Sequence, residues 1–402
     1  MALAIPFLTR RHSEWEAVYV AAARRLRTQG DLYTPADGYL YPPFMALAAI
    51  PFTWIPRWLG RAIWYAMSVA AMTYMVKTSW RLAGGVSLEE LRLRRDEHLA
   101  FAAGLLTALG YFINCFNHQQ TDLVSGALVI AGCGRLAAGA PLAAAGWIGI
   151  AAAMKCTPLL WVAYFAWHRA LVAAGMVAAV AIGLNLLPEL MRPGRHPGLL
   201  VQWVRSFGLI PARLSIAPGI WGSAMFYNQS LSGAVGRFGL TRLIPSAGGF
   251  ATVPRAAALS APMLKVIAYG LEAALLAATF AVQRGPQRRE EPGISVPAIS
   301  VESGAMLALM PLLSPMSSPP HFALLILPGF CAARLGLIEG RRRAVMLLLI
   351  AIACSISYPR ILTGSTVHDL AMWFGVVGWG ALALLAACDL ELASRRSAAA
   401  RA

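Results

Sequence analysis

Four acidic residues near the start of the chain, Glu14, Glu16, Asp31 and Asp37, are of the type that can take a proton from an attacking hydroxyl. Glu14 and Glu16 precede an amphipathic helix read over residues 18–27, where first-turn carboxylates also complement the helix dipole. Asp31 and Asp37 flank a Tyr/Pro-rich loop and suit turns as well. Lys155 stands between Met154 and Cys156 in a long apolar block that Thr157 and Pro158 interrupt. An ionised lysine deep in a bilayer costs about 2.5–3.5 kcal/mol, so it either faces an anion or snorkels to the surface. The break beside it favours an anion, and a phosphate ligand is expected. Further polar groups fall at Asn117, His118, Gln119, Gln120 and Asp122, at Asn228, Gln229, Ser230 and Arg237, and at His321. Ser230 suits a helix N-cap.

The elements that position these groups are apolar. Of the 402 residues 58% are hydrophobic and 13% charged, about half the charge of a soluble domain. A soluble or disordered chain is excluded. The expected fold is all-α: a polytopic transmembrane bundle of about ten crossings, with short re-entrant and interfacial helices. The net charge of +16 rests almost wholly on arginine, since Lys77, Lys155 and Lys265 are the only lysines. The arginines cluster between apolar blocks, at 92–95, 284–289, 341–343 and 395–396. That pattern sets orientation in a membrane, not nucleic-acid binding. It puts the dense clusters beyond the first apolar block on the cytoplasmic side and the polar groups above on the other, with Arg24, Arg25 and Arg27 as the exception left outside.

The chain is expected to form one membrane domain, 1–402. Residues 1–43 are an outer segment, 188–262 an outer loop with short helices, and 391–402 a basic cytoplasmic tail. Residues 44–59 should be bent by Pro51 and Pro56, and 141–168 should be two short helices meeting at a polar apex. The apolar residues 1–8 are too short to span, so a first helix is expected to be missing ahead of the outer segment. The six cysteines form no C-x-x-C pair, and neither a disulfide framework nor a metal site is indicated. There is no P-loop, H-E-x-x-H or G-x-S-x-G. An outward polar cup on an apolar bundle suits a substrate with a lipid tail and a polar head. A transporter or lipid flippase, or a protein that has lost its base, would share the composition. A transporter would add midplane charges and inverted repeats, and apart from Lys155 neither is evident.

Several stretches together resemble glycosyltransferase family 87 of the GT-C superfamily. They are Gly30-Asp31-Leu32-Tyr33 with Tyr39-Leu40-Tyr41-Pro42-Pro43-Phe44, Asn117-His118-Gln119-Gln120-Thr121-Asp122-Leu123, and Ala153-Met154-Lys155-Cys156-Thr157-Pro158. Asn228-Gln229-Ser230-Leu231 with Arg237, and Leu313-Ser314-Pro315 with His321, complete the set in order. The family commonly has an aspartate a few residues before a Val-Tyr pair. Here Val18-Tyr19 follows Glu14-Trp15-Glu16, with Trp15 on or beside that slot. The resemblance implies an inverting membrane hexosyltransferase of the bacterial plasma membrane, mannosyltransferase-like, with its site facing the periplasm or cell exterior. The donor would be a polyprenyl-phosphate sugar and the acceptor a lipid or glycan, with no further cofactor. Glu14, Glu16, Asp31 or Asp37 would be the base. Lys155, Asn117, Gln120, Asp122, Asn228, Gln229, Arg237 and His321 would bind substrate.

Overall fold

In the computed structural model the described residues are 4–9, 13–33, 38–92, 94–194, 196–208, 216, 224–246, 249–256, 259–284 and 295–401. Asp37 lies outside them. The chain is an all-α polytopic membrane protein, with eighteen α-helices among the described residues. The first five are α1 (Ala4–Thr9), α2 (Ala21–Arg27), α3 (Pro43–Ala48), α4 (Arg57–Leu82) and α5 (Leu88–Leu91). Then come α6 (Arg95–His118), α7 (Asp122–Ala137), α8 (Pro141–Met154), α9 (Leu160–Trp167) and α10 (Leu171–Leu186). After α11 (Leu199–Trp203) and α12 (Leu231–Leu240) follow α13 (Ala261–Val282), α14 (Ala298–Leu313) and α15 (Ile326–Leu337). The chain closes with α16 (Arg342–Ser357), α17 (Arg360–Trp373) and α18 (Val376–Arg401).

Among the described residues five helical stretches are long and apolar enough to cross a bilayer: 95–118, 171–191, 261–282, 319–337 and 376–398. The pair α16 and α17, bent by 99°, makes a sixth only when the two are counted as one broken span; the same bend also describes a re-entrant loop. Apolar blocks alone suggested about ten crossings. The difference lies in shorter helices such as α8 and α14, of 14 and 16 residues, which at 1.5 Å per residue fall short of a roughly 30 Å core. α4 has 26 residues, but its Tyr, Thr and Ser side chains and Lys77 leave it outside the apolar set.

The bend expected in 44–59 is present: α3 gives way to a 3-10 turn at Ile50–Thr53, and α4 restarts after Pro56. The apex expected in 141–168 is present too, because Lys155 is extended (φ −155°, ψ 117°) between α8 and a 3-10 turn at Thr157–Leu159. Within 188–262 short helices are joined by an unexpected antiparallel hairpin, β1 (Thr241–Ser246) on β2 (Gly249–Pro254), with Leu243 opposite Thr252 and Ile244 opposite Ala251. Its Leu, Ile, Thr and Val content favours extended backbone.

α14 and α15 are buried along nearly their whole length and form the centre. α6 packs antiparallel on α15 at van der Waals range. A Cβ at Gly329 would stand 2.0 Å from the Thr107 hydroxyl, and one at Gly104 would stand 2.3 Å from Phe330, so both positions must be small. This pairing defines two poles. At one, Glu97 near the start of α6 pairs with Arg334 near the end of α15. Around it Arg395 donates to the Val296 carbonyl and Ser295 to Glu339. At the other, the 119–122 turn after α6 meets the 3-10 segment Pro319–Leu325 that leads into α15, and the Cys115 thiol approaches the Pro320 carbonyl. Arginine clusters gather at the first pole and Lys155 stands at the second.

Candidate functional site

The second pole holds a cavity of about 300 Å³. Its walls are largely apolar, with Leu40, Leu160, Trp203, Met310 and Leu313, and its polar groups include Lys155, Thr157, Ser314 and His321. An apolar trough with a few convergent polar groups is the usual form of a ligand site. Local sequence builds each wall. Pro42 and Pro43 end the extended 38–42 segment and start α3, and Asn185 pins the Phe44 peptide N–H at 2.8 Å while donating to the Ala153 carbonyl. Tyr41 thereby stands beside the end of α8, its ring 5.8 Å from the Lys155 ammonium, in reach of a cation–π contact. Trp203 closes another wall by donating to the Leu40 carbonyl.

Lys155 Nζ lies 2.7 Å from Asp122 Oδ1, and both side chains are nearly sealed from solvent. Asp122 is the first residue of α7, where the helix N-terminus favours its charge. His321 Nδ1 is 3.9 Å from the same oxygen and 3.1 Å from Ser318 Oγ. Asp122 Oδ2 is buried with no hydrogen-bond partner. Three charged or chargeable groups, brought from three distant parts of the chain, thus meet at one end of an apolar cavity.

Among the described residues, Glu14, Glu16 and Asp31 do not line this cavity. Glu16 is held by two guanidiniums: Arg57 donates to Oε2 at 2.6 Å and Arg61 to Oε1 at 2.8 Å. Burial pushes its carboxyl up, but Arg61 and Arg57 outweigh that and leave it below its ordinary value of 4.5. Asp31 is largely exposed, 3.5 Å from Arg192. Glu14 is half-exposed; Oε1 contacts His118 Nδ1 at 2.6 Å and Oε2 accepts from Gln120 Nε2 at 2.6 Å. Gln120 Oε1 in turn accepts from the Tyr19 and Tyr41 hydroxyls at 2.9 and 3.0 Å. Glu14 is therefore joined through Gln120 to Tyr41, which does line the cavity. Asn117 sits half-buried in the last turn of α6.

Asn228, Gln229 and Arg237 are buried at some remove from the lysine and hold the loop behind it. Asn228 Nδ2 donates to the Pro315 carbonyl, its Oδ1 accepts from the Ser317 N–H, and the Gln229 N–H donates to the Ser317 carbonyl. Ser230 caps α12, its hydroxyl accepting from the Gly233 N–H. Arg237 donates to the carbonyls of Trp373, Met225 and Asn228. These residues brace the 314–321 turn that carries Ser314, Pro315 and His321 to the cavity.

Sequence reasoning missed Tyr19 and Tyr41 as partners of Gln120, Arg57 and Arg61 as partners of Glu16, and Trp203 as a wall. The Tyr-x-Tyr-Pro-Pro run was a signal for Tyr41. The others join residues 41 to 163 positions apart, and no local pattern marks them.

A family described as "Glycosyltransferase family 87" matches residues 39–315, more than half of the chain. A curated relative, the polyprenol-phosphate-mannose-dependent alpha-(1-2)-phosphatidylinositol pentamannoside mannosyltransferase of Mycobacterium tuberculosis (strain CDC 1551 / Oshkosh), is 26% identical over 268 residues, 63% of this chain and 55% of the relative. The chain spans about half the length of that relative. No solved structure matches it. The matched family region contains Asp122, Lys155, Asn228 and Arg237, while Glu14, Glu16 and His321 fall outside it.

Proposed function

The chain belongs to glycosyltransferase family 87, and from that premise we propose that it transfers a hexose such as mannose from a polyprenyl-phosphate donor to a lipid or glycan acceptor. The observation that carries this reading is the Lys155 ammonium, set 2.7 Å from Asp122 at the polar end of a mostly apolar cavity of about 300 Å³. The donor phosphate engages Lys155 and the prenyl chain follows the apolar walls. Asp122 fixes the lysine and His321 faces the same phosphate region.

In the reaction the acceptor oxygen bonds to the sugar's anomeric carbon as the bond from that carbon to phosphate breaks. The electron pair leaves with the phosphate, and Lys155 stabilises its growing charge. One displacement inverts the anomeric carbon. The acceptor proton goes to a carboxylate. Glu14 suits this role better than Glu16, whose two arginines hold it ionised and encumbered. The gathering of dense arginine clusters at the other pole supports, under the charge rule, a cavity facing the periplasmic or exterior side of the bacterial plasma membrane.

The test is direct. Purified protein in sealed lipid vesicles is given labelled polyprenyl-phosphate mannose and a glycolipid acceptor. Bond-forming transfer is expected, together with loss of transfer in the folded Lys155→Met/Asp122→Asn protein. Unchanged turnover in that variant removes the site from the reaction; uptake of the donor without bond formation replaces the reading with transport.

A further inference from the structure

The arginine-rich pole has its own cavity, of about 260 Å³, between the start of α16 and the middle of α18. Arg341, Arg342 and Arg343 line one wall, Leu347, Ala387 and Leu390 the floor, and Glu391 and Ser394 the far side. We propose that this cavity binds the phosphate headgroup of an anionic membrane phospholipid, as a site separate from the reaction cavity.

Four features support it. The first is charge. Glu391, the carboxylate lining the cavity, is already engaged by Arg395 at 2.7 Å and Arg341 at 3.9 Å. Among the described residues no carboxylate pairs with Arg342 or Arg343, and both are exposed. Two guanidiniums are thus free to take phosphate oxygens, with the forked geometry that suits such pairing.

The second is the backbone. α16 begins at Arg342 and no side chain caps its first peptide N–H groups. That helix end carries partial positive charge and donors of its own. The third is the floor, which is hydrocarbon. Leu390 is half-exposed, and Met346, Leu349 and Ile350 are exposed on the flank of α16 just beyond. A phospholipid can seat its phosphate on the arginines while its acyl chains continue down that flank; a free water-soluble anion has no use for it.

The fourth is position. The segment 319–337 separates this pole from His321, and 19 residues rise roughly 30 Å. The cavity therefore lies near the opposite surface of a bilayer from Lys155, at the depth of a headgroup. Basic pockets between transmembrane helices commonly hold anionic lipid heads.

The experiment is a melting series on the full chain in neutral detergent. Phosphatidylglycerol, phosphatidylcholine or inorganic phosphate is added in steps. Phosphatidylglycerol should raise Tm saturably and phosphatidylcholine should not, because only a ligand of the folded state stabilises it. Arg342→Gln/Arg343→Gln should raise the half-saturating phosphatidylglycerol concentration about thirtyfold. Ser394→Asp keeps every arginine and should weaken binding in the same direction by placing a carboxylate in the cavity. Equal shifts with phosphatidylcholine, a matching shift with inorganic phosphate alone, or an unaltered phosphatidylglycerol response in either folded variant would overturn the proposal.

Discussion

Two buried ion pairs sit at opposite poles of the same helix pair. Arg334 and Glu97 join α15 to α6 at the arginine-rich end, and the guanidinium also lies 5.3 Å from the Trp80 ring. Lys155 and Asp122 join the end of α8 to the start of α7 at the other. All four side chains are nearly sealed, yet their surroundings differ. The arginine is covered by an aromatic face. The lysine opens on a cavity and shares its carboxylate with a histidine 3.9 Å away, while each pair leaves one buried polar atom, Asp122 Oδ2 or Arg334 Nε, without a hydrogen bond. Arginine with its forked donors makes a durable staple, whereas lysine offers a compact point charge that can turn toward a ligand. Burial and charge alone therefore do not mark a site; what the charge faces does.

The contrast can be broken or sharpened by substitution. The largest expected effect is at Glu14, where Glu14→Gln should lower kcat by about 10²–10⁴-fold with Tm little changed. Equal turnover would move the base elsewhere. Next, Lys155→Met/Asp122→Asn should cost about 10²–10³-fold in transfer. The matching Arg334→Met/Glu97→Gln should leave transfer per folded molecule near the wild-type value, since removing both members of a buried pair is often tolerated. If the second double variant also lost transfer while still folded, the two poles would not differ in kind.

Removing one partner separates stability from activity. Arg334→Met strands the Glu97 charge and should destabilise by about 3–5 kcal/mol, read as a large fall in Tm. Asn228→Ala, which cuts the brace on the 314–321 turn, should cost less, about 1–3 kcal/mol, and should raise KM for the donor as His321 loses its placement.

The smallest effect is at Glu16. Its carboxyl lies below its ordinary value of 4.5, so its pairing stabilises the fold above that pH. The contribution is lost as pH falls through the lower folded value. Glu16→Gln should flatten the drop in Tm as pH falls below 4.5 and leave neutral-pH transfer unaltered. A drop as steep as wild type would show that Arg57 and Arg61 do not hold the carboxylate in solution.

Much of this was legible along the chain. The apolar blocks, the prolines at 51 and 56, and the Thr157–Pro158 break act over a few residues, so the helical membrane bundle, the bend before α4 and the apex at Lys155 could be read directly, whereas the number of crossings could not. The cost of burying an ammonium singled out Lys155. Its partner could not be read in the same way. Asp122 lies 33 positions earlier, and as a turn residue after α6 it looked like a solvated loop acid or a sugar ligand. Asn228 and Gln229 were polar residues in a motif, and only their bonds to Pro315 and Ser317 gave them a bracing place behind the cavity.

The sequence by itself determined that this is an apolar helix bundle with most of its dense arginine clusters at one end, because hydropathy and charge act on each segment wherever its neighbours lie. Only the tertiary structure decided which carboxylate meets the lysine, which is captured by Arg57 and Arg61, and which reaches the cavity wall through Gln120 and Tyr41. Those outcomes depend on distances between helices remote in sequence, and such distances are set by packing along whole faces, as at Gly104 and Gly329, and not by the spacing of the residues that carry the chemistry.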